Sequence, residues 1–249
     1  SMVKEFADIK TEDMLDLPTP NVEYHVESVP ASPEQKAMVD GLADRAMKIR
    51  NKQVDTKLPE NNMLSVTNEG RKLALDQRLM NPDLPDYPDS KVNRCVANVL
   101  RIWEETKERK GTQLVFSDFS TPDSKKFNVY DDIKAKLIAK GVPAEEIAFI
   151  HDANTDAQKE ALFKDMRTGR KKVLIGSTDK CGTGVNVQTH LVAMHHVDCP
   201  WKPSNIEQRE GRGIRQGNEN AEVAVYRYVT KGTFDAYSYQ TLENKQKFI

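Results

Sequence analysis

Apolar and polar positions change period along this chain, and each change marks an element. In Asn21–Val29, apolar Val22, Tyr24 and Val26 alternate with polar neighbours, the two-residue period of a strand. Ser32, Pro33 and Gln35 then mark a helix start. Ser32 can cap, Pro33 takes the first helical position, and Gln35 stands at the capping-box position. This helix is expected to run to about Lys52, and a second over residues 64–79, stopping before Asn81-Pro82. From Lys91 the period switches repeatedly. Val96, Val99, Leu100 and Trp103 recur at helical spacing, which predicts a helix over 93–110 ended by Gly111. Further helices are expected over 129–140, 156–167 and 233–247. Apolar runs predict strands over 113–116, 147–150, 172–176, 191–197 and 223–229.

Strands that alternate with helices imply a parallel sheet covered on both faces. The expected fold class is therefore α/β, with residues 91–249 as the sheet-bearing unit and residues 1–90 as a strand plus helices ahead of it. The chain shows no internal repeat and no low-complexity tract.

Charge narrows the partners. Charged residues make up 30% of the 249 residues, yet the net charge is only −1, so any nucleic-acid contact must come from a local patch. No apolar run approaches the roughly 18 residues a membrane-spanning helix needs. The N-terminus lacks a signal-peptide pattern. Ser1-Met2 reads as a tag remnant ahead of an internal start, so a piece of a longer protein is expected. Cys95, Cys181 and Cys199 have no C-x-x-C spacing, which argues for a reducing compartment, bacterial cytoplasm or nucleus. No histidine pairs with a cysteine at zinc spacing, and no metal site is expected. His195 and His196 lie in an apolar strand run, where one core and one surface histidine are expected.

The richest chemistry lies in QREGRGIRQG, residues 208–217. Arg212 and Arg215 stand three apart, so on a short helix both guanidiniums point one way. Guanidinium is planar, always charged and suited to gripping phosphate oxygens. Gly211 and Gly213 keep the backbone bare, as a close-lying polyanion requires. The same stretch also reads as a solvated basic helix paired with Glu207 and Glu210. Upstream, KVLIGS runs into TDKCGTGVNVQ, a strand ending in a loop of small residues, as parallel sheets build ligand sites at strand carboxyl ends.

Taken in order, these segments closely resemble the second RecA-like lobe of superfamily 2 helicases, nearest to the Swi/Snf-type DNA translocases. The last signature of that family is filled by Gln208, Arg212, Arg215 and Gly217, with Gln216 one place early. The preceding one is matched by Ser177, Thr178, Gly182, Gly184 and Asn186. Trp201, Lys202 and Pro203 are similar to the W-x-P between them, and QLVFS, ending at Ser117, to the signature that opens the lobe. Leu17-Pro18, Ser32 to Gln35 and Asn81-Pro82 loosely match the connector from the first lobe. The resemblance implies a RecA-like sheet sandwiched by helices, preceded by a helical connector. It implies ATP with Mg²⁺ as cofactor, an N-terminal RecA-like lobe of the same parent protein as partner, and DNA in preference to RNA. It places Arg212 and Arg215 as arginine fingers and Gln208, Gly182, Gly184 and Asn186 at the nucleotide. It places Ser117, Thr178, Lys180, Trp201 and Lys202 at the DNA backbone.

One absence shapes this expectation. The chain has no G-x-x-x-x-G-K-[ST] and no Gly-Lys pair, so it lacks the loop that cradles phosphates and holds Mg²⁺. Asp131 and Asp132 read as surface residues near a helix start rather than as a metal-site acid. A half-enzyme inactive by itself is therefore expected. Two other readings stand beside it: a non-catalytic nucleic-acid-binding or docking module, and a metabolic α/β enzyme using Cys181 or the His151-Asp152 pair.

Overall fold

The computed structural model describes residues 18–181, 185–200 and 202–247. β1 (Asn21–Val29) leads to α1 (Pro33–Arg50) through the expected capping box, in which Ser32 and Gln35 satisfy each other's backbone N–H groups. α2 (Met63–Leu75) is shorter than its apolar pattern predicts. Asp76 leaves the helix in an extended conformation and accepts from the Arg78 backbone N–H, so residues 77–79 form a separate 3₁₀ turn. Arg78 then bonds to both Asp76 and Asp132. Asp132 is thus bound into an ion-pair group near the start of the helix that follows β2.

α3 (Lys91–Thr106), β2 (Thr112–Phe116), α4 (Val129–Ala139), β3 (Ile147–Phe149), α5 (Asp156–Arg167) and β4 (Val173–Gly176) follow in alternation. A one-turn helix, α6 (Thr178–Cys181), precedes β5 (Leu191–His196). α7 (Pro203–Glu210), β6 (Glu222–Thr230) and α8 (Phe234–Gln246) complete the described chain.

All six strands form one parallel sheet in the order β1-β6-β5-β2-β4-β3. The chain leaves β2 toward β4 and β3, and later leaves β5 toward β6. The carboxyl ends of β2 and β5 therefore flank a switch in winding direction, where open α/β sheets form their clefts. Alternate side chains build two cores. Val115, Ile175, Tyr226 and Tyr228 pack with α3 and α4, while Phe116, Leu174, Met194 and Val225 pack with α5 on the other face.

Coverage of both faces corrects the expectation for the histidine pair: His195 and His196 are both 0% exposed. His195 accepts from Tyr228 Oη at Nδ1 and donates from Nε2 to Gln113 Oε1, each at 2.8 Å. Burial, then the nearby His196 and Arg101, pulls its pKa down to about 3. His196 faces the opposite side, toward α7.

Candidate functional site

Loops leaving β2, β4 and β5 converge on one side chain, Arg209. On α7, Ile206 and Arg209 lie three residues apart and both turn inward, 2% and 1% exposed. The Arg209 Nη2 atom lies 3.0 Å from Asp118 Oδ2 and 2.8 Å from Asp198 Oδ1. Its Nε donates to Thr178 Oγ1 at 2.8 Å, and Nη1 reaches His196 Nδ1 and the Asp198 carbonyl at 3.3 Å. One guanidinium thus joins the second residues past three strand ends, and its plane lies over the Phe116 ring.

The partners are satisfied in turn. Asp198 Oδ2 accepts from the backbone N–H groups of Asp118 and Phe119. Asp118 Oδ1 accepts from the Thr178 N–H at 2.7 Å. Burial alone would raise the Asp198 pKa, but Arg209, the Asp118 N–H and Arg71 outweigh it and hold the carboxyl below its ordinary value. Burial would lower the Arg209 pKa, and the two carboxylates reverse that. Because His196 Nδ1 accepts from Arg209, its Nε2–H donates to Glu210, 3.1 Å away. Glu210 also takes a hydrogen bond from Tyr24 of β1 and lies 3.5 Å from Arg227 of β6.

Arg212 and Arg215 lie beyond α7, which ends at Glu210, so the helical placement expected from their spacing is corrected. The chain turns instead, with the Gly213 and Ile214 N–H groups both donating to the Glu210 carbonyl. Gly213 has a different purpose from the one its composition suggested. A Cβ there would lie 2.0 Å from Leu191 Cδ2, so the glycine lets the turn press on β5 rather than on a ligand. Gln188 donates to the Gln216 carbonyl, Asn218 donates to the Gly213 and Leu191 carbonyls, and Gly217 takes a positive φ of 90°. The turn is therefore held at both ends.

Within it, Arg212 is 7% exposed and Arg215 is exposed. Burial lowers the Arg212 pKa, Cys181 opposes this, and the like charge of Arg215 lowers it further. An anion between the two guanidiniums would relieve that repulsion. Arg215 Nη1 lies 3.4 Å from the Val185 carbonyl. Gln208 is half-buried on α7, and Asn186 is exposed with its carbonyl accepting from Arg167.

Next to the Arg209 cluster, a crevice of about 390 Å³ is bordered by Arg71, Asp118, His151, Ser177, Lys180 and Asn205. Lys180 is exposed there, and Lys202 is exposed at the start of α7. Ser117 and Thr178 are buried, at 0% and 3%, with their hydroxyls bonded to the Phe119 carbonyl and to Asp118. Gly182, Gly184 and Trp201 lie outside the described residues. Arg71 enters from α2, donates to the Cys199 carbonyl and stacks 4.1 Å above the Phe119 ring. Burial pushes the Cys181 thiol up to about 12, which removes it as a thiolate nucleophile near neutrality. His151 packs edge-on against Tyr130, and burial followed by Lys180 lowers its pKa.

Sequence reasoning missed Arg209, Asp118 and Asp198. The available signal was positional: each acid stands just past a strand, and Arg209 shares the inward stripe of Ile206.

Residues 91–217 match the helicase conserved C-terminal domain. The chain is 38% identical over 90 residues to the defense against restriction protein B of Escherichia phage P1, across 36% of this chain and 4% of that protein. It spans between 4% and 15% of the length of the curated relatives it matches. Among solved structures, the C-terminal part of the Fun30 ATPase domain superposes with a TM-score of 0.67 at 14% identity, covering 90% of each chain. The Sulfolobus solfataricus SWI2/SNF2 ATPase core in complex with dsDNA gives 0.63 at 16% identity, over 92% of this chain and 45% of that one. The parallel sheet, the matched residues and the ordered motifs agree: the chain belongs to the helicase conserved C-terminal domain family, with a RecA-like α/β fold like that of the SWI2/SNF2 ATPase structures it superposes on.

Proposed function

We propose that this chain is the second motor lobe of an ATP-dependent DNA helicase or translocase. It completes a nucleotide site whose other wall is an N-terminal RecA-like lobe of the same parent protein, with residues 1–90 as the connector between the lobes. The observation that carries this reading is the turn itself, anchored by Gln188 and Asn218, which presents exposed Arg215 three residues beyond Arg212. Two guanidiniums suit the terminal phosphates of ATP, whereas the described residues offer no cluster of acids suited to Mg²⁺. Mg²⁺ and the inner phosphates therefore fall to the partner lobe. Bound ATP·Mg²⁺ supplies the transferring phosphoryl group. Arg212 and Arg215 meet the negative charge that builds on it, and the rigid turn means little reorganisation is needed. Gln208 and Asn186, with Gly182 and Gly184 of the same sequence motif, are the further nucleotide contacts in this reading.

The DNA backbone is met at the crevice, where Lys180 supplies a cation, with Lys202 at the start of α7 and Trp201 as further contacts. Phosphate contacts need cations and N–H or O–H donors rather than base readers. Ser117 and Thr178 shape the loops that carry these contacts. The non-catalytic docking reading is less well supported, because it leaves the repelling arginine pair without a purpose.

The test uses the parent protein. Arg215→Ala is expected to remove DNA-stimulated ATP hydrolysis while DNA affinity, measured by fluorescence anisotropy, stays nearly intact. Normal hydrolysis with a large loss of DNA binding would reassign Arg215 to the DNA.

A further inference from the structure

Arg209 sits three residues before Arg212 and is almost wholly buried. Its two carboxylate partners differ in setting. The Asp198 side chain is 6% exposed and pinned by two backbone N–H groups. The Asp118 side chain is 27% exposed and borders the crevice beside Lys180. Asp118 also carries the start of α6, because its carboxylate takes both the N–H and the hydroxyl of Thr178. The other end of α6 is Cys181, which lies in the apolar cluster that Ile214 of the arginine turn packs against. Two routes therefore run from the crevice to the arginine turn: one through Asp118 and Arg209 along α7, the other through Thr178 and α6. Both cross the same carboxylate.

We infer that Arg209 is a positioning residue that passes occupancy of the crevice to the Arg212–Arg215 turn, with Asp198 as its fixed anchor and Asp118 as its variable arm. A phosphate arriving near Lys180 places negative charge next to Asp118 and competes for the cations and N–H groups around it. The balance of Arg209 between Asp118 and Asp198 then shifts, and α7 with the turn behind it shifts too. A buried, multiply bonded guanidinium suits this, because such clusters adopt discrete arrangements rather than sliding continuously. The inference rests on the proposed reading of the turn and crevice, and it adds the residue that couples them.

The experiment measures ATP hydrolysis by the full parent protein with and without saturating duplex DNA. Asp118→Asn keeps the shape and removes the charge facing Arg209. Arg209→Lys keeps the charge but cannot span both acids and Thr178 together. In both variants the ratio of DNA-stimulated to DNA-free kcat is expected to fall about tenfold, while DNA-free kcat and KM for ATP stay within about threefold, as loss of a coupling energy requires. An unchanged ratio in both variants, even with a lowered melting temperature, would make the cluster purely structural and overturn the inference. Equal losses in stimulated and DNA-free hydrolysis would also overturn it. Arg215→Ala in the same assay tests the underlying reading separately, since it should abolish hydrolysis whether or not DNA is present.

Discussion

Replacing Arg209 with methionine removes a charge from the centre of the strand-end cluster while keeping a side chain of similar length against Phe116. The structure sets the size of the effect. Arg209 is 1% exposed, and Asp198, which it contacts at 2.8 Å, is 4% exposed. Removing one partner of such a pair leaves a buried charge uncompensated, at a cost of about 3–5 kcal/mol. A domain of this kind is held by only about 5–15 kcal/mol, so the loss is a large fraction of the whole. Two N–H donors remain on Asp198 in the variant, which keeps the expected value toward the lower end. Urea unfolding followed by far-ultraviolet circular dichroism gives the difference directly. The wild-type Asp198 pKa is depressed, so its contribution is present above the ordinary carboxylate range and lost as pH falls. Without Arg209 that pKa rises, so the penalty should shrink between pH 8 and pH 5. A loss below about 1 kcal/mol, or one independent of pH, would refute the claim that buried charge compensation organises this cluster.

Other consequences follow from the same geometry. His195 binds no proton until well below the ordinary histidine range, so its stabilising contribution is complete above about pH 6.5 and erodes toward pH 3. Unfolding free energy should therefore fall by roughly 1.4 kcal/mol per pH unit below about 6.5 from this residue alone, and the slope should flatten in His195→Gln; a flat profile between pH 7 and pH 5 would contradict the burial argument. Gly213→Ala forces a methyl into Leu191, which is 0% exposed, and should cost about 1–3 kcal/mol in urea unfolding. Gly41→Ala, at a helical position with open space around it, is the control and should show no loss if packing is the cause. The isolated chain should hydrolyse almost no ATP with or without DNA, as read by phosphate release; robust turnover would overturn the two-lobe division.

Elements with a clear period were legible before any coordinates. The strand at residues 21–29 and the helix at 156–167 fall at their expected ends, because alternation, a capping box and a following glycine all agree locally. The helix over 64–79 breaks at Asp76 because its side chain competes for backbone N–H groups and Arg78 is held by distant Asp132. That contact joins residues far apart in sequence. The parallel pairing of β1 with β6 was likewise invisible, since alternation identifies a strand but not its neighbour. The arginine pair was legible as a motif, whereas its placement past the helix end was not. Buried Arg209 was hidden by charge: an arginine in a polar run reads as solvated until three loops close around it.

The central claim is that Arg212 and Arg215 stabilise charge on a phosphoryl group held by another lobe. Single-turnover ATP hydrolysis by the parent protein, at saturating DNA, tests it most directly. The account predicts that Arg215→Ala slows the hydrolytic step by about 10³-fold or more, the range of an arginine finger, while ATP still binds. A single-turnover rate within about tenfold of wild type would contradict it, since an arginine finger is worth about 10³–10⁵ in rate.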